Sequence, residues 1–200
     1  MTDILTTAQH AFDLLAQRGV PAALVGGLAV SARTEPRFTR DVDIAIAVDD
    51  DRAAEDVVSA MRGIGYVPAE LVEQEATGRL ATARLVRPDD PGGVVLDLLF
   101  ASSGVEDEIT RSAEALELAE NLVAPVASSA HLLATKLLSR GPARPQDDVD
   151  IIALLGATDD QERAETRRLL GLIEERGYGR GKSLQEDFDS VCSAASSRSG

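Results

Sequence analysis

Leu24-Val-Gly26-Gly27-Leu-Ala-Val30, followed shortly by Arg37-Phe-Thr39-Arg-Asp41-Val-Asp43-Ile-Ala-Ile-Ala-Val48, decides how the chain is read. Two glycines close an apolar segment, a short helical stretch and a charged loop follow, and a second apolar segment opens on two aspartates. In that segment Val42, Ile44 and Ile46 alternate with Asp41, Asp43 and Ala45, and strand side chains point to opposite faces with period two. Both carboxylates therefore share one face and leave the other to the core. Carboxylates spaced in this way lie roughly 6 to 7 Å apart along a strand. Their oxygens can share a hard cation such as Mg²⁺, which takes oxygen ligands and completes its shell with phosphate. Gly26 and Gly27 lack a Cβ, so the backbone can turn sharply and let a ligand come close. A helix beginning near Leu28 can then aim free N–H groups at an anion. Either half has a plainer explanation, since Gly-Gly after a strand is ordinary turn chemistry and Asp-x-Asp is common in a chain with 34 acidic residues. The combination and its order carry the reading.

Composition sets outer limits. The 200 residues, 44% of them hydrophobic, suffice for one compact domain, or for one domain with a small helical appendage. No apolar run approaches the roughly 18 residues of a membrane span, and no basic stretch followed by an apolar one opens the chain, so a cytoplasmic protein is expected. The single cysteine, Cys192, agrees with a reducing compartment. A net charge of -14 opposes non-specific attraction to nucleic acid, so a polynucleotide substrate would need a local basic patch. Arg33, Arg37 and Arg40 could form one, or could be solvated surface arginines. The only lysines are Lys136 and Lys182. Where arginine is so favoured, a lysine in an ordered segment raises the question of whether an ammonium is required.

Around the central stretch, Ile4, Leu5, Ala8, Phe12 and Leu15 make the apolar face of a helix that Thr2 or Asp3 can cap and Gly19 ends. Ala22 to Val25 form a strand, and Pro36 stops the helix that follows the glycines. Asp49, Asp50 and Asp51 start another helix, reaching Gly63 or Gly65, and read as capping and first-turn charge rather than metal ligands. No structure is assigned to the stretch from Pro68 to Gly78. Strands over Arg79 to Arg87 and Val94 to Phe100 flank a hairpin loop at Pro88-Asp-Asp-Pro-Gly-Gly93. In the second of them Asp97 interrupts an apolar run. A charge in a buried strand costs several kcal/mol unless it is paired or bound to metal. Its partner is either a cation held by Asp41 and Asp43 or Arg84 across the hairpin.

Beyond Ser102, Glu106 to Ala113 and Ala115 to Asn121 read as helical or irregular. Ser128 or Ser129 then caps a helix with Leu132, Leu133, Leu137 and Leu138 inward, which also carries Lys136. It breaks at Gly141-Pro-Ala-Arg-Pro145, and a new helix opens with Gln146-Asp147-Asp148-Val-Asp150. Two amphipathic helices complete the chain.

Gly26-Gly27, a short helix and Asp41-x-Asp43 on the next strand resemble the signature of the nucleotidyltransferase superfamily of DNA polymerase β. Arg37-x-Thr39-x-Asp41-x-Asp43, with Lys136 on one helix and Asp147-x-x-Asp150 opening the next, resembles the AbiEii-like toxin branch. The resemblance covers roughly residues 20–155. It implies an α/β (α+β) fold with a mixed sheet flanked by helices, a catalytic core over residues 1–127, and a helical region over 128–200 packing on it. It implies Mg²⁺ or Mn²⁺ held by Asp41, Asp43 and Asp97, with Asp97 as the base. It places Gly26, Gly27, Arg37, Thr39, Lys136 and Asp147 at the nucleoside triphosphate and leaves Asp150 structural. In plainer terms, Arg37 would pair with Glu35, Lys136 would lie on the surface and Asp147 would be a helix-terminal charge; Asp148 fits the role of Asp147 almost as well.

The expected activity is transfer of a nucleotide to an acceptor hydroxyl with release of pyrophosphate. In the toxin branch the acceptor would be the 3′ end of tRNA and the partner a cognate antitoxin. Two other readings remain: a small molecule such as an aminoglycoside, or a protein, as acceptor; and a catalytically silent domain that binds nucleotide or a partner.

Overall fold

A computed structural model describes residues 4–75, 77–90, 92–120 and 122–196, and in it the two halves of the central stretch are neighbouring strands. β1 (Ala22–Val25) runs antiparallel to β2 (Asp41–Ile46) with Val25 opposite Asp43. The glycine turn therefore lies beside the second aspartate. Between them α2 (Gly26–Arg33) leaves β1 without a linker. The described strands form a seven-stranded mixed sheet of order β3-β4-β5-β2-β1-β7-β6, completed by β3 (Val67–Glu73), β4 (Leu80–Val86), β5 (Val95–Leu99), β6 (Glu114–Ala119) and β7 (Leu122–Val126). β2–β5 and β1–β7 are parallel and the other neighbours antiparallel. This is the mixed α/β sheet that the resemblance implies.

The apolar face of β2 behaves as its period requires. Val42, Ile44 and Ile46 are fully buried, as are Leu24 of β1 and Leu96 and Leu98 of β5. α1 (Ile4–Gln17) buries Ala8, Ala11, Phe12 and Leu15; its expected caps, Thr2 and Asp3, lie outside the described residues. α3 (Asp51–Gly63) is capped by Asp50, whose side chain accepts from Ala53 N at 2.8 Å. Asp51 pairs with Arg79 at 3.5 Å, which agrees with reading the aspartate run as helix-start charge.

Two segments depart from the expectations. The sequence predicts a helical or irregular segment over Ala115 to Asn121, but β6 covers Glu114–Ala119, with Asn121 outside the described residues. Its Ala, Glu and Leu residues favour helix, yet pairing with β7 supplies the backbone hydrogen bonds and puts Leu116 and Leu118 against the core. The stretch from Pro68, where the sequence pattern indicates no element, holds most of β3, an edge strand exposed at every residue. With no buried face it has no hydrophobic alternation to read.

The helical half consists of α4 (Glu106–Arg111) before β6, then α5 (Ser129–Ser139), α6 (Pro145–Ala157), α7 (Asp160–Glu175) and α8 (Leu184–Ser196). α5 is its axis: Leu132, Leu133, Leu137 and Leu138 are buried, and α6, α7 and α8 all pack on it. Among the described residues no helix is long and apolar enough to cross a membrane.

Lys182 answers one question about the two lysines. Its ammonium donates to the carbonyls of Leu137, Leu138 and Arg140 at 3.3, 2.7 and 2.5 Å, satisfying the C-terminal end of α5. A compact group with three donors suits three converging carbonyls. Replacing Lys182 by Met is expected to cost about 1 to 3 kcal/mol and lower Tm by roughly 3 to 10 °C in a thermal melt.

Candidate functional site

The backbone of Gly26 determines where Asp43 can sit. Gly26 has φ +64, and a Cβ there would stand 1.9 Å from Asp43 Oδ2, so only glycine lets the carboxylate lie against this turn. Gly27 is constrained from another side. A Cβ would come within 2.7 Å of Arg37 Nη2 and 3.0 Å of Thr39 Oγ1, so both side chains lie over the first turn of α2. The two glycines thus have separate neighbours.

Asp43 and Asp97 are register partners on the parallel pair β2–β5, with Asp41 opposite Val95. Asp43 is half-buried and Asp97 buried. Burial, then the charge of Asp97, pushes the Asp43 carboxyl up to about 7; Asp41 adds to this, and Lys136 and Arg144 oppose it. Asp97 is held by the guanidinium of Arg84, with Nε to Oδ1 at 2.9 Å and Nη2 to Oδ2 at 2.8 Å. That cross-hairpin pair is the alternative partner expected from the sequence, and it holds the Arg84 guanidinium firmly protonated. Among the described residues no three acidic, histidine or cysteine side chains form a ready-made metal cluster.

Lys136 reaches the site from α5. Its ammonium pairs with Asp147 Oδ1 at 2.8 Å and Asp150 Oδ2 at 2.8 Å. Asp147 also accepts from Ser139 Oγ at 2.9 Å. Asp148 turns outward to Arg140 at 2.5 Å, so of the two adjacent aspartates it is Asp147 that faces Lys136. Arg37 reaches Asp150 Oδ2 at 2.7 Å rather than Glu35, and Asp150 is thereby the junction between the loop before β2 and α5. Burial works against the Asp150 charge, and the bonds from Arg37 and Lys136 outweigh it, holding the carboxyl below its usual range. Arg33 is committed elsewhere, to Glu114 and to the carbonyls of Val126 and Ala127. Arg40 lies over the exposed ring of Phe38. The three arginines do not form one patch.

A cavity of about 390 Å³ joins these groups. Gly26, Asp43, Asp97 and Lys136 line it, and so do Arg84, Arg144 and Arg180. Sequence reasoning did not single out Arg144 or Arg180. The break at Gly141–Pro145 and the glycines around Arg180 were the only local signals, and neither points at a cavity. Asp41, Arg37, Thr39, Gly27 and Asp147 do not line the cavity; Asp147 meets Lys136, and Arg37 and Thr39 lie against Gly27.

A sequence profile described as "Nucleotidyl transferase AbiEii toxin, Type IV TA system" matches residues 13–193. Among solved structures, the lincosamide antibiotic adenylyltransferase LnuA, with lincomycin bound, is similar at TM-score 0.51 and 18% identity, over 79% of this chain and 100% of that one. An antigenic nucleotidyltransferase-like protein from Paracoccidioides brasiliensis is similar at TM-score 0.51 and 19% identity, over 92% of each chain. At these identities the structural likeness shows the fold. No curated protein matches the sequence.

The Asp43 environment makes stability depend on pH. Its folded-state pKa is raised, so the folded protein keeps a proton that the unfolded chain gives up above its ordinary value of 3.8. The associated stability is complete below that value and lost as pH rises to about 7. Asp43→Asn, always neutral, is therefore expected to match the parent near pH 4 in metal-free buffer and to exceed its Tm by roughly 3 to 8 °C at pH 8. Thermal melts across pH check this, and a gap independent of pH would contradict it.

Proposed function

The chain belongs to the AbiEii nucleotidyltransferase family, and on that premise we propose that it moves a nucleotide from a nucleoside triphosphate to an acceptor hydroxyl, releasing pyrophosphate, with a divalent metal. The observation that carries the proposal is the meeting of Gly26, Asp43, Asp97 and Lys136 on one cavity. The catalytic core would be residues 1–127, and the helical region 128–200 would supply Lys136 and Asp147.

Asp41, Asp43 and Asp97 are the residues that would hold Mg²⁺ or Mn²⁺. The donor set fits: hard carboxylate oxygens share one face of β2 and β5, and Asp43 is crowded by like charge. Asp97 would join them with one or both oxygens turned from Arg84. When bound, the ion supplies Lewis-acid polarisation of the reacting phosphoryl group and favours ionisation of the acceptor hydroxyl. The first turn of α2, made accessible by Gly26 and Gly27, offers N–H groups to a phosphate oxygen. Lys136 contributes a mobile positive charge, steadied by Asp147. Arg37, whose buried Nε has no partner among the described residues, and Thr39 border the same turn. Asp97, freed from Arg84, accepts the proton of the acceptor hydroxyl.

The family description supports a toxin of a toxin–antitoxin pair, and for such a protein we propose the 3′ end of tRNA as acceptor and a cognate antitoxin as partner. A small-molecule acceptor is the second reading. Glu70 and Glu106 on the cavity wall and the net charge of -14 favour a cationic one.

Transfer from each α-³²P nucleoside triphosphate into total small RNA, with Mg²⁺ or Mn²⁺, tests the proposal. Label in RNA is expected, reduced about 100-fold or more in Asp43→Ala and Lys136→Ala. Label confined to an aminoglycoside or lincosamide acceptor would select the second reading. No transfer together with no metal-dependent nucleotide binding would leave a silent domain and overturn both.

A further inference from the structure

Cations in the cavity fall into two groups. Arg84 is matched by Asp97 and, at 3.9 Å, by Glu70, and Lys136 by Asp147 and Asp150. Arg144 and Arg180 are not matched: among the described residues neither makes an ion pair, although acidic residues outnumber basic ones by 34 to 20. They come from different elements. Arg144 is the residue before α6, and Arg180 lies in the loop between α7 and α8. Both are exposed residues; partial burial of the Arg180 guanidinium, and next the charge of Arg144, depresses its pKa, so the two guanidinium groups feel each other's charge. The acid nearest to hand, Glu106, instead accepts from Ser102 N, Ser103 N and Ser103 Oγ at 2.9, 2.7 and 2.8 Å.

Backbone geometry adds a second cost. Arg180 is the only non-glycine residue with positive φ (54°) among the described residues, and it stands between Gly179 and Gly181. A left-handed arginine between two glycines costs stability that a third glycine would not. The side chain lines the cavity, where Nη2 donates to the Ser102 carbonyl at 3.0 Å and the other donors have no partner among the described residues. Arg144 also acts on Asp43, so its charge reaches both the aspartate and the second arginine.

We propose that Arg144 and Arg180, which line the cavity together, form a clamp for a phosphoryl group distinct from the Lys136 contact. Two guanidinium forks on one cavity wall are suited to the oxygens of a phosphate, and an anion offsets the repulsion between them. The proposal rests on reading the cavity as a nucleotide site. The group bound belongs either to the donor triphosphate or to a phosphodiester of the acceptor.

Calorimetry on the full chain, in EDTA, with inorganic tripolyphosphate and with a short single-stranded RNA lacking terminal phosphates, separates these sources. Arg144→Gln and Arg180→Gln are expected to weaken binding of at least one probe by about 10- to 100-fold, with Tm within about 1 °C of the parent. Loss for tripolyphosphate assigns the donor, and loss for RNA assigns the acceptor. Arg180→Gly is expected to lose the same affinity with Tm unchanged or raised, whereas an arginine kept for structure would lower it. Unchanged affinity for both probes in both Gln variants, or no binding of either probe by the parent, overturns the clamp. Mg-ATP titration keeps the two proposals apart. ATP binding lost in Asp43→Ala but intact in the arginine variants leaves the nucleotidyltransferase reading standing and sinks the clamp. Arginine-dependent tripolyphosphate binding without any Mg-ATP binding does the reverse.

Discussion

The carboxylate of Asp43 is pressed between the backbone of Gly26 and the neighbouring Asp97, and much of the molecule is arranged around that concentration of negative charge. Two like charges on adjacent strands in a partly desolvated place are unfavourable unless a positive charge is near. The fold provides several from different directions: Arg84 from β4, Lys136 from α5 and Arg144 from the loop before α6. Each belongs to an element otherwise explained by packing. The sheet brings the aspartates together, and the helices bring the cations.

Asp150 joins these two halves. It is buried, and it binds Arg37 of the loop before β2 and Lys136 of α5 at once. Losing Asp150 would leave Arg37 without an ion pair among the described residues, whereas Lys136 would keep Asp147. The position of α6 is therefore tied to the geometry of the loop before β2, and Lys136 is held between two carboxylates of α6. The other lysine has a different task. Lys182 closes the end of α5, so the helix that carries Lys136 is anchored by the remaining ammonium of the chain.

Arg84 and Asp97 illustrate how a local pattern limits the partners without choosing one. An aspartate in an apolar strand has to be neutralised, and the hairpin register puts Arg84 directly opposite. The structure pairs it with the arginine. Both guanidinium bonds go to one carboxylate, so a ligand that displaces either of them from Asp97 also frees a donor of Arg84. Acidic and basic functions of the cavity are coupled through this contact.

Read alone, the sequence determined the strand, Gly-Gly turn, helix and Asp-x-Asp strand, because these depend on period and on the absence of a Cβ, both local properties. Lys136 and Asp147 were legible through their resemblance to a family pattern. Tertiary structure alone decided that Asp147 and not Asp148 faces Lys136, and that Asp150 binds both Arg37 and Lys136. It also decided that Arg33 is spent on β6 and β7 and that Arg144 and Arg180 meet at one cavity. β3 and β6 belong with these, since an exposed edge has no buried face and a helix-favouring segment becomes a strand only beside its partner. The physical reason is common to all of them: the sequence specifies which groups need a partner, while the packing of distant elements specifies which partner is within reach.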